Sequence, residues 1–527
     1  MPGSQTPHGK PTSIWIAGRP ETPFPALAQD IEVDVAVVGG GIVGVTAAHL
    51  LQRAGRSVAL LEARRVGQQT TGGSTAKVTS QHSLMYSTLA RTFSEDTARA
   101  YGEANEWAIG DIEARVRDLD IDCSFERLST YTYTTHPNMV MEVREEARLC
   151  ERLGLPARFT EDVPLPFDAL AAVAFDRQAQ FDPVPYVLGV AEAVQHEGGL
   201  VFEDTRVTEA TEEGDAVRLV TSGGHVVTAG DVVIATNLPF VNDGEYFAKA
   251  LPQAHLVLAA RTASPPLQGA FISVDTPTRS LRSYRRDGET WLILCGASFK
   301  PGEEDTQQEL ASLEAYAREH FEVASVDHYW WNEDYYSIDH LPYVGRLTSD
   351  SEHRYVATGF SGWGLTNGNV AAHILADAIL GRSHRWASIY QSTRESAETD
   401  TSPVAQLGRL VRGNLTSAKH LAQRVLPAAA GDPADLANGE GRVMSVDGER
   451  MAVARGRDGA LHAVSSACTH MGCELGWNAA MLTWDCACHG SCFALDGSVL
   501  RGPAVRPLEV RHLQSPAAEG GRVEGRR

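Results

Sequence analysis

IEVDVAVVGGGIVGVTAAHLLQRAG, residues 31–55, has the order of residue types that predicts a strand, a glycine-rich turn and a helix. In its first eight residues apolar and acidic side chains alternate, and a short apolar run follows, as in a strand. Its last eleven residues are typical of a helix that ends at Gly55. Gly39, Gly41 and Gly44 stand between them with GxGxxG spacing. Glycines at these positions permit a tight turn, a close approach of the backbone to a pyrophosphate and close helix packing.

A second strand follows the helix and ends in an acid. SVALLE, residues 57–62, ends at Glu62, where a carboxylate can bind ribose hydroxyls. Residues 63–82 are then a loop rich in Gly, Ser and Thr, at the point where a simple dehydrogenase would continue with a strand and a helix. This order predicts a dinucleotide site and favours FAD over NAD. The alternative is a purely structural glycine turn.

Another glycine-rich loop lies much later in the chain. GDVVIATN, residues 230–237, reads as a buried strand that closes on a polar turn, and residues 354–380 read as a strand, a loop and a helix. The loop, residues 359–368, would present backbone N–H groups and a helix N-terminus to the cofactor. Such a positive end suits the charge that develops on a reduced flavin.

Length and charge limit the class of protein. A chain of 527 residues is too long for one ordinary core, so two or three domains are expected. A formal charge of −21 argues against nucleic-acid binding. No secretory signal is evident in residues 1–15, which predicts a cytoplasmic protein. Asp34, His49 and three adjacent glycines interrupt the longest weakly charged run, so no transmembrane segment is predicted.

These motifs resemble those of the D-amino-acid oxidase and glycine oxidase group of FAD-dependent oxidoreductases. VVGGGIVG with Glu62, the ATN strand end, DHLPYVGR (residues 339–346) and GFSGWGLTNG carry the resemblance, over about residues 30–400. It implies an α/β (α+β) FAD-binding fold, with a Rossmann-like domain and an antiparallel substrate domain. The FAD-binding residues that it implies are Gly39, Gly41, Gly44, Glu62, Thr75, Ala76, Val207, Gly359, Gly362, Trp363, Gly364 and Leu365.

A compact run of cysteines and histidines, residues 468–493, stands near the other end of the chain. It reads CTHMGCELGWNAAMLTWDCACHGSCF and holds five of the eight cysteines, which indicates one site and not a scattered disulfide framework. Its CTH and CxxH pairs supply two thiolates and two imidazoles. Tetrahedral zinc accepts such ligands, and so does one kind of iron–sulfur cluster.

The same run resembles high-potential Rieske proteins, and short strands with Asp-Gly turns on both sides suit a small all-β Rieske domain. The resemblance implies a 2Fe–2S cluster with ligands Cys468, His470, Cys486 and His489, and a disulfide between Cys473 and Cys488. It also implies that Ser491 bonds a cluster sulfur, whereas Phe493 takes a place that often holds Tyr, a loss expected to lower the potential. Cys492 has no assigned role.

The whole arrangement resembles bacterial FAD-dependent oxidoreductases with a C-terminal Rieske domain, and the TAKVTSQH run at residues 75–82 recurs in that group. The predicted division of the chain is an N-terminal extension (1–29), the oxidoreductase (30–400), a helical linker (401–436), the Rieske domain (437–513) and a disordered tail (514–527). Within the oxidoreductase, the FAD-binding parts are about 30–90, 175–245 and 335–400, and the substrate parts about 91–174 and 246–334. The linker is expected to pack on the FAD domain, with a basic membrane-surface helix that reaches a quinone as the alternative.

The substrate chemistry is less specified, because hydride transfer from an amine needs no catalytic motif. Candidates are Arg282 or Arg285 for a substrate carboxylate, and Lys77, His82, Tyr336 and Trp363 near the flavin. The preferred hypothesis is an enzyme that oxidises a small amine or amino acid at FAD and passes electrons singly through the cluster to a carrier protein or quinone. The alternatives are a reductase or electron-transfer protein in which electrons enter at the cluster, and a zinc-stabilised binding protein.

Overall fold

A computed structural model describes residues 9–19, 22, 24–394 and 428–513. Residues 401–427 of the predicted linker (401–436) and the predicted tail (514–527) lie outside the described residues. The strands of the described residues are β1 Lys10–Pro11, β2 Ile31–Val38, β3 Val58–Leu61, β4 Lys77–Val78, β5 Glu126–Thr134, β6 Ala157–Thr160, β7 Ala171–Gln180, β8 Leu200–Phe202, β9 Val207–Glu213, β10 Ala216–Thr221, β11 Val226–Ile234, β12 Ala250–Thr262, β13 Ala270–Ser273, β14 Ser280–Arg286, β15 Glu289–Phe299, β16 Val323–Ser337, β17 Tyr343–Arg346, β18 Arg354–Thr358, β19 Gly441–Val446, β20 Glu449–Arg455, β21 Leu461–Ser465, β22 Gly476–Asn478, β23 Thr483–Asp485, β24 Cys492–Phe493 and β25 Val499–Arg501.

The helices of the described residues lie mainly between these strands. The α-helices are α1 Ile42–Arg53, α2 Thr70–Gly73, α3 Met85–Thr92, α4 Glu95–Asp118, α5 Val140–Arg152, α6 Pro183–His196, α7 Tyr246–Lys249, α8 Thr306–His320, α9 Gly364–Ile379 and α10 Ala387–Tyr390. Short 3-10 turns occupy Pro137–Met139, Asp243–Glu245 and Pro433–Asp435. None of the described helices combines the length and the apolar character that a membrane span requires.

The first sheet carries the predicted glycine turn. Its strand order is β17-β18-β11-β2-β3-β8, parallel from β18 to β8, with β9 and β10 added beside β11. Alternate residues of β2 face opposite sides, so Val35 and Val37 join the helix-covered core while Ala36 and Val38 join a second core. The parallel sheet with helices confirms the Rossmann-like part of the predicted fold.

The second sheet has ten strands and confirms the predicted substrate domain. β12, β14, β15 and β16 are paired antiparallel, and β12 pairs with β16 along almost its full length. Two pairs depart from the antiparallel expectation, because β13 runs parallel to β5 and β1 runs parallel to β16. Helix α8 packs its buried Leu310, Leu313 and Ala317 against one face, so the other face of the long strands is left to form a cavity wall.

The Rieske part is small and all-β, as predicted. β19-β20-β21 form a three-stranded sheet and β22-β23-β24-β25 a four-stranded one. The turn between β19 and β20 has Asp447 at φ 53° and Gly448 at φ 81°, which is the left-handed pair that an Asp-Gly hairpin turn requires. Trp484 and Phe493 are fully buried between the strands.

Side chains join the Rieske part to the ten-stranded sheet. The Thr306 hydroxyl donates to Asn478 Oδ1 at 2.9 Å, and Arg457 donates to the Tyr329 hydroxyl at 3.0 Å. A Cβ on Gly476 would lie 1.9 Å from the carbonyl oxygen of Gly302. Only glycine therefore permits this approach of the two backbones.

Candidate functional site

The glycine turn between β2 and α1 forms one end of a deep cavity. Gly39 has φ 109°, and a Cβ there would lie 2.5 Å from the carbonyl oxygen of Ala235. A Cβ on Gly44 would lie 1.8 Å from the carbonyl oxygen of Gly39, so this glycine serves close helix packing and not ligand contact. A Cβ on Gly41 would have only the Thr71 hydroxyl within 4 Å, at 3.2 Å. The space beyond Gly41 is thus open cavity, as a pyrophosphate requires.

Glu62 is held in the cavity wall beside this turn. Its carboxylate accepts the backbone N–H of Gly40 at 2.7 Å and that of Arg64 at 2.9 Å. Burial raises the pKa of Glu62, and the two amide hydrogen bonds oppose that shift. The amides orient the carboxylate, which suits the predicted contact with ribose hydroxyls.

The cavity has a volume of about 640 Å³ and passes from the glycine turn to the ten-stranded sheet. The predicted FAD residues that line it are Gly39, Gly41, Glu62, Thr75, Ala76, Val207, Gly362, Trp363, Gly364 and Leu365. Gly359 is not in the lining. Its φ of 78° lets the chain turn where β18 ends and so leads into the loop that lines the cavity. The residues present therefore fit an extended dinucleotide.

The second glycine-rich loop approaches the cavity at the start of α9. The Gly362 N–H donates to Asp334 Oδ2 at 2.6 Å, and the Ser361 N–H donates to the carbonyl of Tyr335 at 3.0 Å. Trp363 stacks on His82, with ring centroids 4.6 Å apart and planes 19° from parallel. Burial lowers the pKa of His82 to about 3, so that imidazole is neutral. The loop is thus fixed by β16, and the N-terminus of α9 lies at the cavity as expected.

The strands of the second sheet supply a polar group of side chains at the far end of the cavity. Lys77 on β4 donates to the Ser280 hydroxyl on β14, and burial lowers the pKa of Lys77 to about 8. The Tyr336 hydroxyl lies 3.1 Å from His255 Nε2, and burial lowers the pKa of His255. The buried Cys295 thiol also lines this end. The sequence analysis identified Lys77 and Tyr336 and missed His255, Ser280 and Cys295. These three lie on β12, β14 and β15, and the sequence does not reveal which face of those strands lines the cavity.

Arg282 does not line the cavity. Its guanidinium is fully buried and donates to four carbonyl oxygens, those of Thr75 at 3.0 Å, Ala76 at 2.7 Å, Phe181 at 3.2 Å and Ser283 at 3.4 Å. Burial lowers the pKa of Arg282 to about 10. Arg282 therefore supports the loop that carries Thr75 and Ala76 instead of facing a substrate carboxylate, and Arg285 is exposed at the strand end.

Two loops of the Rieske part bring the four predicted cluster ligands together. The rings of His470 and His489 are 5.0 Å apart and perpendicular. His470 Nδ1 is buried without a hydrogen-bond partner among the described residues. A hydrogen bond with Cys486 lowers the pKa of Cys468 to about 7, and the amides of His470 and Met471 and the Ser491 hydroxyl act in the same direction. The same hydrogen bond raises the pKa of Cys486, so the pair shares a proton that Cys486 holds. Two adjacent sulfurs and an imidazole nitrogen without a partner among the described residues fit a metal cluster, which would take the place of that proton.

The surroundings of this site include the predicted disulfide. Cys473 and Cys488 form a disulfide, which confirms that prediction. The sulfurs of Cys473 and Cys488 lie within 4.8 Å of that of Cys486, but they are joined in this disulfide and so are not available as metal ligands. Phe493 is fully buried and offers no hydroxyl. Cys492, which had no predicted role, hydrogen-bonds the buried carboxyl of Asp485.

Comparison with known proteins identifies the larger part of the chain. The family model DAO, FAD dependent oxidoreductase, matches residues 34–378. The chain belongs to this family. A model of the Rieske [2Fe-2S] domain matches residues 427–515. The cofactors of this FAD-dependent oxidoreductase are therefore FAD and a 2Fe–2S cluster, and the zinc interpretation is overturned.

Individual relatives of this oxidoreductase agree. YhfW of Bacillus subtilis, named as a Rieske 2Fe-2S iron-sulfur protein, is 33% identical over 95% of this chain and 97% of its own. Gamma-glutamylputrescine oxidoreductase of Escherichia coli is 24% identical over 69% of this chain and 87% of its own. The crystal structure of glycine oxidase from Geobacillus kaustophilus has a TM-score of 0.56 at 17% identity, over 69% of this chain and 99% of its own, and shows the shared fold.

In this oxidoreductase the Rieske part reaches the FAD cavity. Its loop of residues 500–505 lines the cavity together with the glycine turn. The Tyr335 hydroxyl donates to the carbonyl of His489 at 3.0 Å, and Tyr335 also lines the cavity. Glu333 lies against Gly490, where a Cβ would be 1.8 Å from its Oε1. Strand β16 thus contacts both cofactor sites.

Proposed function

We propose that this enzyme takes a hydride from a small amine or amino-acid-like substrate and releases the two electrons singly to a one-electron acceptor outside the chain. Flavin accepts the hydride as an electron pair, and a 2Fe–2S cluster carries one electron at a time. The observation that carries the proposal is Tyr335, which lines the FAD cavity and hydrogen-bonds the backbone of His489. A buried side chain common to both sites supports electron exchange within one chain.

The charge at the far end of the cavity supports a substrate with a carboxylate. Lys77 is half-buried in the cavity wall, and the groups that act on its charge are the Cys295 thiol and Arg282. No carboxylate of the described residues is among these groups, and a cation in such surroundings is stabilised by an anionic ligand. The carboxylate of an amino acid, bound at Lys77 and the Ser280 hydroxyl, meets that requirement.

The other polar groups at this end suit a substrate amine that reacts as the neutral form. Burial lowers the pKa of His255 and raises that of Tyr336, so both groups are uncharged at neutral pH. Uncharged donors and acceptors orient a ligand without adding charge beside the reacting carbon. Trp363 and His82 form a stacked wall that excludes water from one side of the cavity.

Replacing Lys77 by methionine is expected to raise KM for a carboxylate-bearing substrate by about 10- to 100-fold, the value of a charge-assisted hydrogen bond. The wild-type KM is expected to rise as pH increases through about 8, because Lys77 is a cation below its pKa and neutral above it. The variant loses this dependence. Steady-state or flavin-bleaching titrations between pH 6 and roughly 10 measure both effects.

Lys249→Met is the matched control, because Lys249 is half-buried and bonded to the carbonyl of Gly244, away from the cavity. Its KM should stay within about twofold of wild type. An equal KM for Lys77→Met and wild type at every pH would contradict the carboxylate site while leaving amine oxidation open.

The function itself is tested by anaerobic mixing of the holoenzyme with a panel of amines and amino acids, followed by a one-electron acceptor such as ferricyanide or a water-soluble quinone. A substrate bleaches the flavin in the first phase, and the acceptor restores it in the second. Cys486→Ser is expected to retain the first phase and to lose the second, since that ligand belongs to the Rieske part. Loss of the first phase with FAD bound would indicate the reductase alternative, in which electrons enter at the cluster.

A further inference from the structure

The FAD-binding half of the chain, meaning the described residues up to 394, contacts the predicted cluster ligand His470. Asn242 Oδ1 lies 3.0 Å from His470 Nε2. His470 Nδ1 is buried and has no hydrogen-bond partner among the described residues, which leaves it as the nitrogen that would bind iron. With iron on Nδ1, the proton of the ring is on Nε2, which therefore donates and the Asn242 carbonyl oxygen accepts.

The segment that carries Asn242 is held firmly by the rest of the FAD-binding half. The Tyr246 hydroxyl donates to the carbonyl of Leu347 at 2.8 Å, and Lys249 Nζ donates to the carbonyl of Gly244 at 2.9 Å. The Phe247 ring stands edge-on to His489, with centroids 5.4 Å apart, and 6.4 Å from His470. The short segment from Asn242 to Phe247 thus covers both imidazoles.

We propose that Asn242, a residue of the FAD-binding half, tunes the reduction potential of the cluster through its hydrogen bond with His470. Partners that accept the outer N–H of a metal-bound histidine make the ring a stronger electron donor and fix its orientation. A more strongly donating ring stabilises the oxidised cluster, which carries the more positive charge. The bond from Asn242 therefore holds the potential below the value that the Rieske part would have without it.

The sign of the effect separates this role from simple packing. Asn242→Asp places a carboxylate at the same atom, which strengthens the acceptor and adds a negative charge, so the potential falls. Asn242→Leu removes the acceptor at similar volume, so the potential rises. Asn242 is exposed, and water replaces part of the lost bond. For Asn242→Asp we expect about a tenfold decrease in the equilibrium constant for one-electron reduction of the cluster, which corresponds to 59 mV. For Asn242→Leu we expect about a threefold increase in that constant.

The measurement is an anaerobic redox titration of the full-length holoprotein with dithionite and mediators, followed by the EPR signal of the reduced cluster. Asn438→Asp is the control, because Asn438 is exposed in the Rieske part, bonds the carbonyl of Arg457 and gains the same charge. Its potential should shift by less than half as much as that of Asn242→Asp. Opposite shifts for the two Asn242 variants support the proposal.

If the reduction potentials of the two Asn242 variants shift with equal sign, or neither shifts beyond the control, the proposed role of Asn242 is overturned. The proposal rests on His470 as a cluster ligand and not on the substrate or the direction of electron flow. No substrate is used in the titration, so a failed test of the proposed oxidation leaves this result intact. A variant without any cluster EPR signal is replaced by Asn242→Gln, which keeps an amide and is expected to retain a potential closer to wild type than Leu.

Discussion

Gly41→Val protein is expected to fold with its 2Fe–2S cluster and without FAD. The space next to the Gly41 Cα is open cavity at the turn, and a branched side chain would fill the volume that the pyrophosphate needs. We expect FAD affinity to fall by more than about a hundredfold, close to 3 kcal/mol, the upper range for overfilling a close-packed site. The cluster should remain, because its ligands and core lie in the Rieske part.

Absorbance spectra of the purified protein, with extraction and quantification of FAD and acid-labile sulfide, measure both cofactors. Gly110→Val is the control, since Gly110 is exposed on α4 and a Cβ there meets nothing within 4 Å. It carries the same side-chain change in another part of the fold and should keep full FAD occupancy. Full occupancy in Gly41→Val would show that the phosphates lie elsewhere.

Gly490→Ala is expected to separate the Rieske part from strand β16. Gly490 has φ 76°, and an added Cβ would lie 1.8 Å from Glu333 Oε1 and 2.6 Å from the Tyr335 hydroxyl. Glu333 is buried and cannot swing into solvent without opening the contact. We expect electron exchange between flavin and cluster to slow by about a hundredfold or more. The added methyl group costs the docked state about 3 kcal/mol through overpacking, beyond the strain of a left-handed alanine.

Hydrogen exchange of the β16 amides reports the opening directly, and reoxidation of the reduced flavin by ferricyanide reports the loss of electron exchange. Gly448→Ala is the matched control, because Gly448 has φ 81° but nothing within 4 Å of an added Cβ. It incurs only the strain of a left-handed alanine, about 1 kcal/mol, and should exchange electrons normally. Unchanged exchange of the β16 amides in Gly490→Ala would contradict the close contact.

Local patterns were sufficient to predict most of the two cofactor sites. A strand, three glycines and a helix in register require a particular backbone path, and the structure forms it from Ile31 to Arg53. The CTH and CxxH pairs likewise confine four ligands to two short loops, and the Cys473–Cys488 disulfide joins those loops as expected. Such motifs are predictable because their chemistry depends on neighbours only a few residues away.

The far end of the cavity was predicted only in part, with Lys77 and Tyr336 identified and His255 and Ser280 missed. Lys77, His255 and Ser280 come from three strands, and their meeting depends on strand order and register that no single segment encodes. Arg282 illustrates the difficulty, because a basic residue on a substrate-domain strand is as well suited to binding carbonyls of a loop as to binding a ligand. The structure gives it the first environment. Trp363 was predicted near the flavin and does line the cavity.

The strand β16 has a consequence for how such chains can diversify. Asp334 holds the flavin-side loop through Gly362, while Tyr335 and Glu333 on the same strand contact the cluster loop. A Rieske domain transferred from a relative would not match the β16 of this chain. A change of β16 to match it would also disturb the loop that contains Gly362. The two cofactor sites therefore depend on one strand, and chimaeras between relatives are expected to require exchange of β16 together with the Rieske part.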